Sequence, residues 1–241
     1  MKASRLLLLS MIFTFSCGKE DVESFEAPES ILFIGNSYTY FNRGLAFHLK
    51  QYLSTDDKNS SVRVEEIAKG GYTLESHWKD TATVNAILRG SWDIIVLQEQ
   101  SLRPVDDRGK MMTYAAKFDS LIKTSGQTKL YFFMTWAYKD QPDMIYPVSD
   151  SYNDVASKLK ATVVPVGQAW SQFVSSKDTI NLYDSDGAHP NINGTFYTAS
   201  IFYRTMFHKD LSVNSYRDPL ISSEKAADLK QSANKVEEIR Y

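Results

Sequence analysis

Cysteine is almost absent from this chain. Cys17 is the only one in 241 residues, so no intramolecular disulfide framework can form. No apolar run approaches the roughly 20 residues that a membrane-spanning helix needs. Neither sign of charge prevails: 27 basic residues face 29 acidic ones, for a formal net charge of −2. With no Lys/Arg run either, nothing draws the chain to nucleic acid. Histidine is scarce, and no His/Cys/Asp cluster has metal-ligand spacing. A phosphate-binding fingerprint is also missing, because Gly70-Gly71 lacks the required strand-to-helix context. No metal or other cofactor is therefore expected. There is no internal repeat and no sign of a second domain.

What is present begins at the N-terminus. Met1-Lys2-Ala3-Ser4-Arg5 is short and basic, and Leu6 to Phe15 is apolar apart from Ser10 and Thr14. That is the pattern of a secretory leader. It ends at Ser16-Cys17-Gly18, which resembles a bacterial lipoprotein cleavage site, although Thr14 stands where leucine is usual. The resemblance implies a leader over 1–17 with Cys17 as the lipidated residue. Residues 18–29 are acidic and polar, suited to a tether. Lys19-Glu20-Asp21 resembles the short signals that send some lipoproteins to the cell surface. Membrane contact is expected only through the N-terminal lipid, in an extracytoplasmic setting, and the oligomeric state is left open.

From residue 30 to 241 the pattern is one of strand, loop and helix. Ile31 to Ile34, Val62 to Ile67, Asp93 to Leu97, Leu130 to Met134 and Thr162 to Val166 read as strands. Pro165 places the last of them at a sheet edge. Helices are expected over Asn42 to Leu53, Thr81 to Arg89, Asp107 to Lys123, Ser149 to Leu159, from Pro190-Asn191 to about Phe207, and after Ser222 as far as Ile239. Buried strands alternating with helices predict an α/β fold, a parallel sheet covered on both faces. Right-handed crossovers then gather the strand C-terminal ends on one rim, where ligands bind.

The unusual residues lie on that rim. Gly35-Asn36-Ser37 directly follows the first strand, where glycine permits a sharp turn and a serine meets the start of a helix. Backbone N–H groups at such a place can hold an oxyanion. A serine needs a base to become a nucleophile. Asp186-Gly187-Ala188-His189 supplies one, since residues three apart share a turn and the carboxylate can orient the imidazole. Asn191 is a plausible cap for the following helix. Of the other histidines, His48 falls within a helix, His77 follows the glycine loop on the cleft side, and His208 sits near a helix end. Thr135-Trp136 and Tyr138 follow the fourth strand, either as a wall of the cleft or as rim packing.

Gly35-Asn36-Ser37 after an apolar strand, with Asp186-x-x-His189 late in the chain, resembles the SGNH hydrolases, or GDSL-type esterases. The resemblance extends from Ile31 to about Phe207. It implies a three-layer α/β/α sandwich with a flavodoxin-like five-stranded parallel sheet. It also implies a triad of Ser37, Asp186 and His189, with Asn36 in place of the family's commoner aspartate. Gly71 corresponds to the family's glycine oxyanion donor. The family's Gly-x-Asn-Asp block is replaced by Gln98-Glu99-Gln100-Ser101. A glutamine amide can donate the same bond, with Gln98 the first choice and Gln100 the second. The expected activity is hydrolysis of a small-molecule or glycan ester, an acetyl ester foremost, through an acyl-enzyme. A non-catalytic glycan-binding lipoprotein and an acyltransferase are the alternatives on the same scaffold.

Overall fold

Side chains along a strand point alternately to opposite faces, so a strand covered on both sides must be apolar throughout. Ile31 to Ile34 meets that condition. In the computed structural model, which describes residues 26–176 and 179–241, these four lie in β1 (Ser30–Gly35). The expected leader over 1–17, with Cys17, and most of the tether expected over 18–29 lie outside the described residues.

A single helical turn, α1 (Ser37–Tyr40), follows β1, and a 3-10 turn (Phe41–Arg43) leads into α2 (Leu45–Ser54). β2 (Arg63–Ala68) comes next, then α3 (Leu74–Lys79), α4 (Thr81–Arg89) and β3 (Ile94–Leu97). After β3 come α5 (Arg103–Asp106), α6 (Arg108–Lys123) and β4 (Lys129–Phe133). The remainder is α7 (Ile145–Leu159), β5 (Thr162–Val164), α8 (Val166–Ser176), α9 (Ile192–Phe207) and α10 (Ser223–Ala233).

The five strands form one parallel sheet in the order β2-β1-β3-β4-β5, with Ile34 opposite Ile67 on one side and Leu97 on the other. Ile31, Phe33, Ile94, Val96 and Phe133 pack with α2, α8, α9 and α10. Leu32, Ile34, Ile95, Leu97 and Phe132 pack with α3, α4, α6 and α7. The result is the expected three-layer α/β/α sandwich. Strand order reverses between β1 and β3, so the rim crevice opens beside the ends of those two strands.

Several local features differ from expectation, among them α7, which starts at Ile145 and not at Ser149. The helix expected from Asn42 begins at Leu45, because Asn42 and Arg43 take positive φ and Gly44 precedes the first true helical residue. α3 occupies the stretch after the glycine loop; Thr73 caps it, accepting from Ser76 N. α8 starts directly after Pro165, which ends β5. The last helix stops at Ala233, and Ile239 instead pairs with Val163 through two backbone hydrogen bonds of 2.7 and 2.9 Å. That bridge covers part of the edge that β5 would otherwise expose.

Gly167 joins α8 to the end of β4. Its N–H donates to the Met134 carbonyl at 3.0 Å, and a Cβ there would stand 1.9 Å from the Thr135 carbonyl oxygen. Gly167→Ala is therefore expected to lower stability by about 1–3 kcal/mol, a typical overpacking cost. A urea midpoint equal to that of the unaltered protein would contradict this close approach.

Candidate active site

Ser37 is the first residue of α1, and Asn36 is its cap. Asn36 Oδ1 accepts from Tyr38 N at 3.1 Å, while its Nδ2 donates to the Tyr72 carbonyl at 3.1 Å. One side chain thus starts the helical turn and fastens the glycine loop to it. The turn is also held from β3: Gln98 Oε1 accepts from Asn36 N at 2.8 Å and from Thr39 Oγ1 at 3.1 Å. A helix start leaves its first N–H groups free, and Ser37 N–H has no acceptor among the described residues.

His189 and Asp186 lie on the loop between α8 and α9. Gly187, at φ 69°, turns this loop back so that Asp184 N–H reaches the His189 carbonyl at 2.8 Å. The loop is stapled to the end of β4. Lys139 N–H donates to Gly187 O at 2.8 Å, Trp136 Nε1 to Ala188 O at 2.9 Å, and Tyr183 Oη to Ala137 O at 3.0 Å. Beyond it, Asn191 caps α9, its Oδ1 accepting from Asn193 N and Gly194 N.

The structure brings Ser37, His189 and Asp186 into one relay. Ser37 Oγ is 2.8 Å from His189 Nε2, and His189 Nδ1 is 2.5 Å from Asp186 Oδ2. A carboxylate only accepts, so Nδ1 carries the proton and Nε2 is free to accept from the serine hydroxyl. Asp186 Oδ1 also accepts from Ala188 N and His189 N, both at 2.9 Å. These donors, the imidazole first, hold the Asp186 carboxyl down at about 2 although its side chain is 48% exposed. The carboxylate therefore stays charged across the neutral range without being buried. The imidazole is 31% exposed, so the relay is an open groove on the rim. A cavity of about 410 Å³ between Ser212 and α10 shares no residue with it.

The expected oxyanion residues divide. Gly71 has φ 69° and open space where a Cβ would stand, and its N–H has no acceptor among the described residues. The two glutamines, expected as oxyanion donors, each give an amide N–H to a neighbour in the loop after β3. Gln98 is buried, with its amide nitrogen bonded to the Glu99 carbonyl and its oxygen holding the turn that carries Ser37. Gln100 turns its oxygen to Leu102 N and Arg103 N, and its amide donates to Ser101 Oγ at 3.1 Å. Both amides brace the loop after β3.

His77 does not line the cleft. It is fully buried, donating from Nε2 to the Gly35 carbonyl at 2.7 Å and accepting from Thr83 at Nδ1, and burial pushes its pKa down. It supports the last residue of β1 from beneath. Trp136 is also buried, at 1% exposure, sandwiched between Tyr38 at 4.4 Å and Trp170 at 3.9 Å. It is packing, not a platform for substrate. Tyr138 remains half-buried at the rim, hydrogen-bonded to Ser101. His208, Glu237 and Glu238 approach one another near the C-terminus, a grouping invisible in sequence spacing. Arg204 and Arg240 already pair with these carboxylates.

Two residues near the relay escaped sequence reasoning. Phe41 lies parallel to the His189 ring at 4.5 Å, and its only sequence signal is its nearness to Ser37. Glu99 is 1% exposed, and its Oε1 accepts from Leu74 N at 3.1 Å and Gln100 N at 2.7 Å. It ties the start of α3 to the loop after β3. An acidic residue two positions beyond an apolar strand is the signal that marks it.

The sheet order, the layers and the placement of the relay define an SGNH hydrolase-like fold. Among solved structures, the chain is similar to a candidate SGNH hydrolase from Slackia heliotrinireducens, at TM-score 0.61 and 24% identity over 70% of this chain and 94% of that one. A DUF4886 family protein from Bacteroides uniformis superposes at TM-score 0.67 and 18% identity, covering 85% and 93% of the two chains. The acetyl xylan esterase AlAXEase matches at TM-score 0.59 and 16% identity, covering 70% and 96%. No family model and no curated protein matches the chain.

Glu99 generates a test of its own. Burial, partly offset by its two N–H donors and Arg103 and reinforced by Glu75, pushes the carboxyl from 4.5 up to about 7. Between those values the folded state holds a proton that the unfolded state has lost, so stability falls as pH rises through that window. Gln at this position keeps an accepting oxygen and does not titrate. Glu99→Gln should gain in melting temperature relative to the unaltered protein from pH 5 to pH 8. A constant difference across that range would contradict the buried, protonatable carboxyl.

Proposed function

We propose that this protein is a serine hydrolase of carboxylic esters. The observation that carries the reading is the relay itself, with 2.8 Å from Ser37 Oγ to His189 Nε2 and 2.5 Å from Nδ1 to Asp186. As Ser37 Oγ attacks the ester carbonyl carbon, its proton passes to His189 Nε2, and Asp186 stabilises the resulting imidazolium. The N–H groups of Ser37 and Gly71, both unengaged, face the developing oxyanion. Collapse breaks the bond to the alcohol oxygen, which takes the proton from His189. The acyl group remains on Ser37. A water then repeats the sequence, with His189 as base, and releases the acid.

Three observations favour an acetylated carbohydrate as substrate. The fold is shared with acetyl xylan esterases. The groove is open to a large alcohol portion, since Asp186 and His189 are substantially exposed. Aromatic residues rim it, Tyr40 at 38% exposure and Tyr72 and Tyr138 half-buried, and such rings offer faces to sugars. The leader pattern before Cys17, which resembles that of a lipoprotein, supports an extracytoplasmic location.

Ser37→Ala should reduce p-nitrophenyl acetate turnover by roughly a thousandfold or more, the scale of nucleophile deletions. Labelling by a fluorophosphonate probe should vanish with it. Full turnover in the variant would refute the assignment. Acetylated xylan oligosaccharides, followed by acetate release, test the substrate class. For the anchor, Cys17→Ser should move the protein from the membrane to the soluble fraction of its host cell. Retention in the membrane fraction would count against lipidation.

A further inference from the structure

Between the turn bearing Ser37 and α2, the chain passes through three successive residues of positive φ: Asn42 at 52°, Arg43 at 77° and Gly44 at 84°. Only the last is a glycine. Asparagine tolerates this region, whereas arginine does so only where its surroundings hold it. Here they hold it from three sides. Asn42 Nδ2 donates to the Pro190 carbonyl at 2.9 Å and to Thr195 Oγ1 at 2.8 Å, reaching the histidine loop and the first turn of α9. The Asn42 carbonyl accepts from His48 Nε2 at 2.9 Å, and His48 Nδ1 accepts from Tyr216 Oη at 2.8 Å. The Arg43 guanidinium pairs with the fully buried Asp218 and lies over the Phe47 ring.

This turn has a consequence for His189. It lays the Phe41 ring against the imidazole, 4.5 Å between centroids and 15° from parallel. Tyr38 presents its own ring to the same imidazole at 5.6 Å and 81°. The imidazole therefore has an aromatic face on one side, an aromatic contact on another, Asp186 at Nδ1 and Ser37 at Nε2.

We infer that Phe41 and Asn42 are positioning residues for His189: Asn42 ties the strained turn to the histidine loop, and Phe41 fixes and covers the imidazole face. The inference rests on reading Ser37, His189 and Asp186 as the catalytic relay. The physical need is clear. A single bond to a half-exposed carboxylate leaves the ring free to swing about its outer torsion, which has only broad wells. Small misplacements of a base cost large factors in rate. A stacked ring removes that freedom without offering a polar atom to compete for Nε2. Its electron-rich face also favours the imidazolium formed when Ser37 gives up its proton.

The test uses the full-length protein. Phe41→Ala and Asn42→Asp, the latter keeping shape and tolerance of positive φ while removing both donors, are compared with the unaltered protein. So are Asn42→Gly, which relieves the strain and also removes the donors, and Phe41→Tyr, which keeps the stack. We expect kcat for p-nitrophenyl acetate to fall roughly tenfold to a hundredfold in the first three, with KM within about twofold. Phe41→Tyr should recover most of the rate. By proton NMR, the His189 Nδ1–H resonance should broaden or disappear in Phe41→Ala and persist in Phe41→Tyr. Unchanged kcat in both Phe41→Ala and Asn42→Asp would overturn the inference, as would a loss confined to KM, which would make Phe41 a substrate contact. Should Asn42→Asp fail to fold, the two Phe41 variants decide the matter. If the unaltered protein shows no Ser37-dependent turnover, the catalytic reading fails. The NMR comparison then still judges the clamp, and an Nδ1–H signal indifferent to Phe41→Ala would refute it.

Discussion

The side-chain oxygen of Gln98 takes the N–H of Asn36, the first donor beyond the end of β1. A parallel sheet cannot satisfy the backbone groups at its rim from its own ladder, and burying them unpaired is costly. Here the strand next to β1 extends a side chain to do it. The same oxygen holds Thr39, so the position of α1, and with it Ser37, is set from β3. Glu99 continues the arrangement by binding the start of α3, and Asn36 returns it by binding Tyr72. Three loops from three strands are joined through polar side chains at the point where strand order reverses. A glutamine in this place, where the resembling family has its Gly-x-Asn-Asp block, holds the turn that carries Ser37, and the N–H groups of Ser37 and Gly71 have no acceptor among the described residues.

The opposite side of the groove is built by packing. Trp136 stacks on Trp170 within the core and on Tyr38 toward the surface, and its indole N–H holds the loop carrying His189. Large aromatic side chains gain by burial and by ring geometry together. A column of three rings therefore runs from the α8–α9 layer to the edge of the relay. Through it the hydrophobic core and the placement of the imidazole are connected. An aspartate that is half exposed can still orient a histidine under these conditions, because the loop that bears both is fixed at Gly187, Ala188 and Tyr183 from β4.

Much of this was legible in the residues. Uninterrupted apolar runs such as Ile31 to Ile34 and Ile94 to Leu97 signal strands covered on both faces, and the sheet contains them with nearly those bounds. The meeting of Ser37 with His189 could be anticipated because both stand at loop positions on one rim. What escaped was short or tertiary. α3 has only six residues, too few for a periodicity to show. The helix expected from Asn42 starts at Leu45, and Gly44 just before the apolar run is the better boundary signal. The functions expected of Gln98, Gln100 and His77 depended on which way side chains turn, and that is decided by partners that spacing alone does not pick out: Asn36 and Gly35, distant in sequence, for Gln98 and His77, and the adjacent Ser101 for Gln100.

The two sides of the groove differ in kind, and the difference bears on chemistry. Around Ser37 the supports are hydrogen bonds from buried polar groups, which hold only when each partner is matched and so specify one geometry. Around the histidine they are aromatic contacts and a turn held in strained backbone conformation, beside the hydrogen bonds that staple its loop, and the imidazole itself stays 31% exposed. A nucleophile that must stay still while charge develops beside it benefits from the first. In the proposed reaction a base that gains and loses a proton needs surroundings that do not rearrange with its charge, and the Phe41 ring, which has no titratable atom, provides one such face. His48, whose pKa burial pushes down, lies beneath Asn42 and supports the turn. The strain at Asn42 and Arg43 is then understandable as the geometric cost of bringing an aromatic ring from the nucleophile's helix across to the base.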